Sequence, residues 1–249
     1  MNSYFECVND WGAVQISDSF SNYVLYKKGR VYSSAGPASR MQQWDFKVSL
    51  PPSGARAIIV FDPPIGSGIL SMFQKLEGMN QWIRAYSSNC YDLGQELTYY
   101  VFIPSDDPAI TLEPAKGLFC IWNAEGKLIY DSDAPYLKIL EYREHYYGEA
   151  QYRREYPNSK RIGFVVSQAQ WYVDSGMGPG GGFGNLAGVS AYADPEMPNR
   201  VVFDYMLFRR TTVGGQWPSV GTGTNPSKPK MVKMLVCDLT KMDEIPFNL

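Results

Sequence analysis

His145 is the single histidine of the chain, and it limits the acid–base chemistry that the sequence can support. A Ser–His–Asp or Cys–His site would have to use it as the base. It lies between Glu144 and Tyr146, and no serine of the chain stands in a Gly-x-Ser-x-Gly setting. One histidine also excludes zinc and copper sites built from several imidazoles. We therefore expect His145 to be a surface or strand residue and the protein not to be an enzyme.

The glycine-rich segment 176–184 has the composition of a phosphate-binding loop. A P-loop, however, needs Gly-Lys-Ser or Gly-Lys-Thr after the glycines, at the start of a helix. Here Asn185-Leu186-Ala187 follows, and no strong helix begins there. The segment is therefore predicted to be a flexible surface loop, and no cofactor is expected.

Acidic residues provide the remaining candidates for chemistry. Asp62 and the triplet Asp131-Ser132-Asp133 resemble fragments of calcium loops, but no twelve-residue pattern with a central Gly and a terminal Glu surrounds them. We expect Asp131 and Asp133 to bond turn amides, with a weak calcium site as the alternative. A pair of carboxylates for glycoside hydrolysis stays open, because their separation is a property of the fold.

The four cysteines, Cys7, Cys90, Cys120 and Cys237, are widely spaced and form no CxxC pair. This spacing argues against a disulfide-rich secreted domain and against a zinc knuckle, so no metal is predicted. Free buried thiols of a protein made in a reducing cytoplasm are the better interpretation.

Composition and net charge limit the kinds of fold and partner that are expected. A chain of 249 residues with 45% apolar side chains can bury a large core, as one β domain or two smaller ones. Its net charge of -2 gives no long-range attraction to nucleic acid or anionic lipid. We find no basic and apolar leader, and no apolar run of about 18 residues, so no membrane insertion is expected.

A short motif occurs twice, at residues 5–18 and 119–133. Each copy is an apolar run, then Asn-x-x-Gly, then a second apolar run that closes on Asp and Ser. Asn favours the first position of a type I turn, and Gly three residues later accepts the left-handed conformation of a bulged hairpin. Each copy is therefore predicted to be a β-hairpin, and the repeat suggests two related β modules.

Strand signals continue along the chain. Residues 44–50 alternate, and residues 57–61 form a continuous apolar run typical of a strand buried on both faces. Lys28-Gly29 is interpreted as a turn between two extended segments. Further strands are predicted at 23–26, 30–32, 81–87, 97–103, 161–167, 201–210 and 231–238, and the best helix candidate, at 141–155, is weak.

These elements predict an all-β fold, an antiparallel β-sandwich of two related modules at 1–104 and 105–249. Long Gly/Pro-rich loops are expected at 176–184 and 216–230. The last residues, 245–249, cannot form regular structure across Pro246, so they are interpreted as a short docking arm.

Tyrosines and arginines cluster in one stretch of the second half. Three interpretations stay open for it: a core strand with one aromatic face, a protein interface, and a glycan contact. Three more aromatic candidates lie in the two predicted loops and in the C-terminal arm. The candidate interface residues are Tyr142, Arg143, Tyr146, Tyr147, Tyr152, Arg153, Arg154, Tyr156, Phe183, Trp217 and Phe247.

The two motif copies carry a family resemblance. Residues 4–18, with Tyr23-Val24-Leu25 after them, resemble the start of small tail-associated virion structural proteins of tailed bacteriophages. Residues 117–133 are similar to a strand–turn–strand pattern common in such proteins. Cys120 and Tyr130 stand where that pattern more often has an aliphatic residue and Phe. Residues from 161 onward are not covered by the resemblance.

The resemblance implies a structural component of a phage tail, at the tail tip or baseplate, in the virion and made in the host cytoplasm. Its partners would be other phage tail proteins and copies of itself, and no catalytic residue is carried over. One alternative is a receptor-binding module that recognises a bacterial surface glycan or pilus on the host cell. A weaker alternative is a wall- or glycan-degrading enzyme that uses two carboxylates.

Overall fold

The computed structural model describes residues 6–8, 14–17, 22–35, 42–53, 56–77, 80–88, 94–110, 119–122, 126, 128–169, 171–178, 181–212, 231–242 and 244–247. Within these ranges every strand pairing is antiparallel and there is no α-helix. The prediction of an all-β antiparallel fold is therefore confirmed.

Eighteen strands and one 3-10 turn make up the described structure. They are β1 (Glu6–Val8), β2 (Val14–Ser17), β3 (Tyr23–Tyr32), β4 (Ser34–Ala35), β5 (Gln42–Ser49), β6 (Ile58–Asp62), β7 (Ile69–Glu77), β8 (Asn80–Ser87), β9 (Glu96–Pro104), β10 (Cys120–Trp122), β11 (Leu128–Asp131), β12 (Lys138–Tyr146), β13 (Tyr152–Glu155), β14 (Ile162–Ala169), β15 (Trp171–Gly178), β16 (Gly181–Asp194), β17 (Met197–Thr212), β18 (Met231–Asp238) and the 3-10 turn Thr240–Met242.

A six-stranded sheet in the order β12-β18-β14-β6-β9-β3 forms the centre of the fold. Its two outer strands approach each other at one end. There Val24 pairs with Tyr136, Leu25 N donates to Pro135 O at 2.9 Å, and Leu137 N donates to Tyr23 O at 2.8 Å. The sheet therefore curls at this end. From Lys138 onward β12 pairs with β18 on one side, and no described strand pairs with its outer edge.

Both faces of the central sheet are covered. One face packs on two four-stranded sheets, β4-β5-β8-β7 and β13-β17-β16-β15. The other face buries a smaller cluster that includes Met242 of the 3-10 turn. In β6, Ile59 and Phe61 belong to the larger cluster and Val60 to the smaller one. The predicted burial of this strand on both faces is confirmed.

The strand order of the first half recurs in the second. In the central sheet β3-β9-β6 corresponds to β12-β18-β14, and in the outer sheets β5-β8-β7 corresponds to β13-β17-β16. The halves meet where Phe61 of β6 pairs with Phe164 of β14. Six strand positions therefore recur in the same order, in addition to the two hairpins, and the two halves share the central sheet.

The two predicted hairpins are confirmed, and they share one register. Glu6 pairs with Ser17 and Cys120 with Asp131, and both hairpins have a register shift before their third pair. Gly126 has a φ of 74°, the left-handed conformation predicted for the last residue of the Asn-x-x-Gly turn.

Two predictions about glycines are wrong. Lys28-Gly29 is not a turn, because β3 runs unbroken through it. A Cβ on Gly29 would lie 2.3 Å from Cζ of Tyr99, so the glycine makes room for a ring on the paired strand β9. The described residues of 176–184 are not a loop either, since they lie in β15 and β16, which pair as far as Gly178 and Gly181. Backbone pairing to a neighbour has overridden the low strand propensity of glycine.

The segments 141–155, 44–50 and 216–230 also carry predictions from the sequence. Residues 141–155 form β12 and β13 and no helix. Trp44 and Val48 of β5 are buried with Phe46 beside them, as the alternation predicts, although Leu50 lies just beyond the strand. The predicted loop at 216–230 lies outside the described residues.

Candidate interaction surface on strands β12 and β13

Strands β12 and β13 bring together eight of the predicted interface residues. Because side chains alternate between the two faces of a strand, the cluster divides into separate groups. Arg143, Tyr152 and Arg154 gather around a carboxylate on the inner side of β12, whereas Tyr142 and Tyr146 lie on its other face.

Glu141 is the centre of the inner group. Tyr152 Oη donates to its Oε1 at 3.0 Å, and the Tyr156 hydroxyl donates to its Oε2. Arg154 Nη1 lies 3.6 Å and Arg143 Nη1 3.8 Å from its carboxylate oxygens. Its side chain is only 11% exposed. Burial, together with the bond to Glu141, raises the pKa of Tyr156, so the hydroxyl stays a donor.

Arg143 is held by aromatic rings as well as by charge. Its guanidinium carbon lies 3.4 Å from the ring centroid of Tyr152 and 5.9 Å from that of Phe203. Within the described part of the chain, its buried Nε has no hydrogen-bond partner. Stacking on two rings and the nearby Glu141 carboxylate therefore fix this cation, and a change of Glu141 would leave it poorly compensated.

His145 is buried, with 2% of its side chain exposed. Its Nδ1 lies 3.1 Å from Glu149 Oε2, although the angle is not that of a hydrogen bond. Its ring lies 5.9 Å from that of Phe203. Burial lowers the pKa of His145, and the Glu149 carboxylate opposes that shift. The residue is a strand histidine packed in the interior and not an open base.

The other face of β12 carries an exposed polar network around Glu144. Tyr142 Oη donates to Glu144 Oε1 at 2.6 Å, Tyr146 Oη donates to Oε2 at 3.2 Å, and Lys233 Nζ lies 2.8 Å from Oε1. The bonds from Lys233 and then Tyr142 lower the pKa of Glu144 to about 2. The network holds Tyr142 in one orientation while leaving 53% of it exposed.

A third group lies past the end of β12. The rings of Tyr147 and Tyr205 meet edge to face with centroids 5.2 Å apart, and both are exposed. Nearby, Arg153 Nε donates to Gln151 Oε1 at 2.7 Å, and Gln151 Nε2 donates to Asp204 Oδ2 at 2.6 Å. These contacts join the β12–β13 turn to β17, so the exposed tyrosine pair rests on a braced surface.

Three predicted residues lie elsewhere. The backbone of Phe183 pairs with Thr212, at the far end of β16. Trp217 lies outside the described residues. Phe247 packs on the chain's own β3, with Lys28 Nζ 4.5 Å and the Arg30 guanidinium carbon 4.8 Å from its ring centroid.

The C-terminal arm is thus docked within the chain. The buried Lys28 Nζ donates to Met242 O and to Ile245 O, both at 2.9 Å. An expectation that residues 245–249 reach a neighbouring protein is replaced, for the part that is described, by this intrachain contact.

Four members of the surface were missed from the sequence: Glu141, Glu144, Tyr205 and Lys233. The two glutamates stand on either side of Tyr142 and Arg143 in β12, so a strand interpretation of 138–146 could have found them. Tyr205 and Lys233 come from β17 and β18, and only tertiary pairing brings them to β12.

Two clefts lie elsewhere in the described part of the chain. One of about 600 Å³ contains Asp62, Glu96 and Arg161, but Arg161 Nε lies 2.6 Å from Asp62 and Glu96 accepts from Tyr32 Oη at 3.0 Å. The other, of about 400 Å³, lies beside the second hairpin, close to Asp238. Neither cleft gathers three metal-ligating side chains, and the described ranges hold no such group anywhere.

Two further expectations concern single residues. Asp131 Oδ1 accepts from Asp133 N at 2.9 Å, which is the turn bond predicted in place of calcium binding. Cys237 is a buried free thiol, and burial raises its pKa to about 12.

In the described ranges, no helix has the length and apolar character needed to cross a membrane. No protein-family model, curated protein or solved structure matches the chain.

Proposed function

We propose that this protein is a structural component of a bacteriophage tail, in the tail tip or baseplate region, acting through protein–protein interfaces in virion assembly and host attachment. Support comes from the resemblance of its two Asn-x-x-Gly hairpins to tail-associated virion proteins. The two hairpins are also alike in structure, since they pair at equivalent positions.

The observation that carries the interface role is the exposed aromatic surface around β12. Tyr147 and Tyr205 form an exposed pair, and Tyr142 is exposed on the other face of β12. Arg153 is joined to the strand that carries Tyr205 through Gln151 and Asp204. Tyrosine and arginine are the residues most enriched at protein interfaces, because they bury area and still form hydrogen bonds. A surface already braced by hydrogen bonds loses little entropy when a partner binds.

Incorporation into particles tests the proposal. Tyr147→Asp and Tyr205→Asp would be compared with Tyr32→Asp, which changes a tyrosine on β3 that is at least as exposed as either. All three variants should unfold at the parent temperature. We expect the first two to lower the amount of protein in purified particles and the third to leave it unchanged. Antibody labelling of intact particles should mark the tail tip; labelling of no part of the particle would refute the proposal.

A receptor-binding role is the second candidate, favoured by the same tyrosine pair. Edge-to-face rings with open surface can stack on sugars as well as on protein. If the purified protein binds host cells saturably and blocks infection, and Tyr147→Asp abolishes both effects, the receptor role replaces the assembly role. Tail-tip labelling without cell binding supports assembly.

A further inference from the structure

In the middle of β12, the backbone N–H and C=O groups on the outer edge form no hydrogen bond within the described residues. Tyr146 N donates to Glu149 Oε2 at 3.1 Å, and Tyr146 O accepts from Glu149 N at 3.2 Å. The polar groups of Tyr146 therefore point away from β18. Alternate residues of an antiparallel strand direct their N–H and C=O groups to the same side, so Tyr142 and Glu144 also point outward.

No described residue occupies that edge. β12 is the last strand of the central sheet, and within the described ranges nothing bonds to the backbone of Tyr142 or Glu144. Ile139 and Tyr142 are 47% and 53% exposed beside it. An open strand edge flanked by apolar and aromatic side chains is suited to pairing with another strand.

A second copy of β12 can pair with this edge without placing like charges opposite each other. If a second β12 pairs antiparallel with Tyr142 opposite Tyr142, then Glu141 of each copy faces Arg143 of the other. Centring the pair on Glu141 or on Arg143 would instead place like charges opposite each other, which is unfavourable. The Tyr142-centred arrangement also lets each Tyr142 exchange both backbone hydrogen bonds with its counterpart.

We propose that two copies of this chain associate through their β12 edges, two-fold symmetric about Tyr142, so that two six-stranded sheets join into one. The contact is isologous, because the same patch serves on both copies. A contact through one strand edge buries little area, which places it among weak interfaces that assemble at high local concentration. The proposal rests on the proposed role of this surface as an interface, but its test uses the purified chain alone.

Disulfide trapping tests the register. In the proposed pair the two residue-142 Cα atoms lie about 5.5 Å apart, within the range that a disulfide spans. The two residue-144 Cα atoms are four residues out of register, about 13 Å apart, too far for a bond. Tyr142→Cys should therefore give a covalent dimer under mild oxidation, and Glu144→Cys should not. The parent chain, with its native cysteines, measures the background.

Sedimentation of the unmodified chain provides a second measurement, to which one variant can be compared. We expect a monomer–dimer equilibrium that shifts with concentration. Tyr142→Pro removes an outward N–H that the fold does not use, a change that edge strands tolerate, and it should weaken dimerisation by about tenfold or more. A monomer at every concentration overturns the proposal, as does equal trapping of both cysteine variants. Because neither measurement involves particles, tail-tip labelling can succeed while this proposal fails.

Discussion

Replacing the buried carboxylate of Glu141 is the sharpest test of how the β12–β13 surface is held together. Glu141→Ala removes the acceptor of the Tyr152 and Tyr156 hydroxyls and the carboxylate nearest Arg143. A buried donor left without an acceptor costs about 1–3 kcal/mol. Tyr156 is buried and Tyr152 partly so, so the free energy of unfolding should fall by about 2–4 kcal/mol.

Urea unfolding followed by circular dichroism measures this loss, with the midpoint of thermal unfolding as a second readout. For a chain of this size, 1 kcal/mol corresponds to about 2–4 °C, so a fall of roughly 5–15 °C is expected. Glu141→Gln keeps an acceptor oxygen and should lose about half as much. In the double variant Glu141→Ala/Tyr156→Phe, the stranded hydroxyl is gone, and part of the stability should return.

Glu155→Ala is the matched control, because Glu155 is 53% exposed on the adjoining strand and 3.9 Å from Arg200. A surface ion pair of this kind contributes about 0–1 kcal/mol. If Glu141→Ala and Glu155→Ala destabilise the protein equally, the inner group does not hold the surface together and the reasoning is refuted.

Three other changes should have definite effects. Gly29→Ala should destabilise the chain by roughly 1–3 kcal/mol in urea unfolding, since its methyl group would overlap the Tyr99 ring. Lowering the pH from 7 towards 5 should destabilise the protein, because burial holds the folded pKa of His145 below its ordinary value and the unfolded chain takes up the proton first. His145→Asn should flatten that slope, which for one proton is at most about 1.4 kcal/mol per pH unit. Lys28→Met should speed protease cleavage within residues 240–247, because two backbone carbonyls lose their donor.

Each of these three predictions has a control or a result that would contradict it. In a Tyr99→Leu background, Gly29→Ala should cost much less stability than in the parent, and an equal cost in both would mean that strand backbone, not the ring, is responsible. Lys27→Met should leave cleavage of the arm unchanged. An unaltered slope between pH 7 and 5 in His145→Asn would assign the pH dependence to another group.

Local patterns sufficed for the hairpins and for the most regular strands. Asn-x-x-Gly between two apolar runs encodes its own turn, so residues 120–131 could be predicted from twelve positions. The apolar run at 57–61 and the alternation around Trp44 likewise report burial directly, because period and burial are properties of a single strand.

The same local rules failed wherever a distant strand decided the outcome. Gly29 signals a turn by itself, but in the fold it makes room for Tyr99, seventy positions away. The glycines of 176–184 favour a loop by their low strand propensity, but those that are described lie in β15 and β16, whose backbones pair. A glycine-rich segment can form a strand when the backbone of a neighbouring strand pairs with it.

The sequence by itself determined that the chain is an all-β protein with a repeated hairpin, and that tyrosines and arginines concentrate between residues 142 and 156. Only the tertiary structure decided which of those side chains surround Glu141, which stay exposed, and where the C-terminal arm lies. Lys28 and Met242 are 214 positions apart when they meet. Strand order and register link such positions through long-range backbone pairing, which leaves no local trace in composition or period.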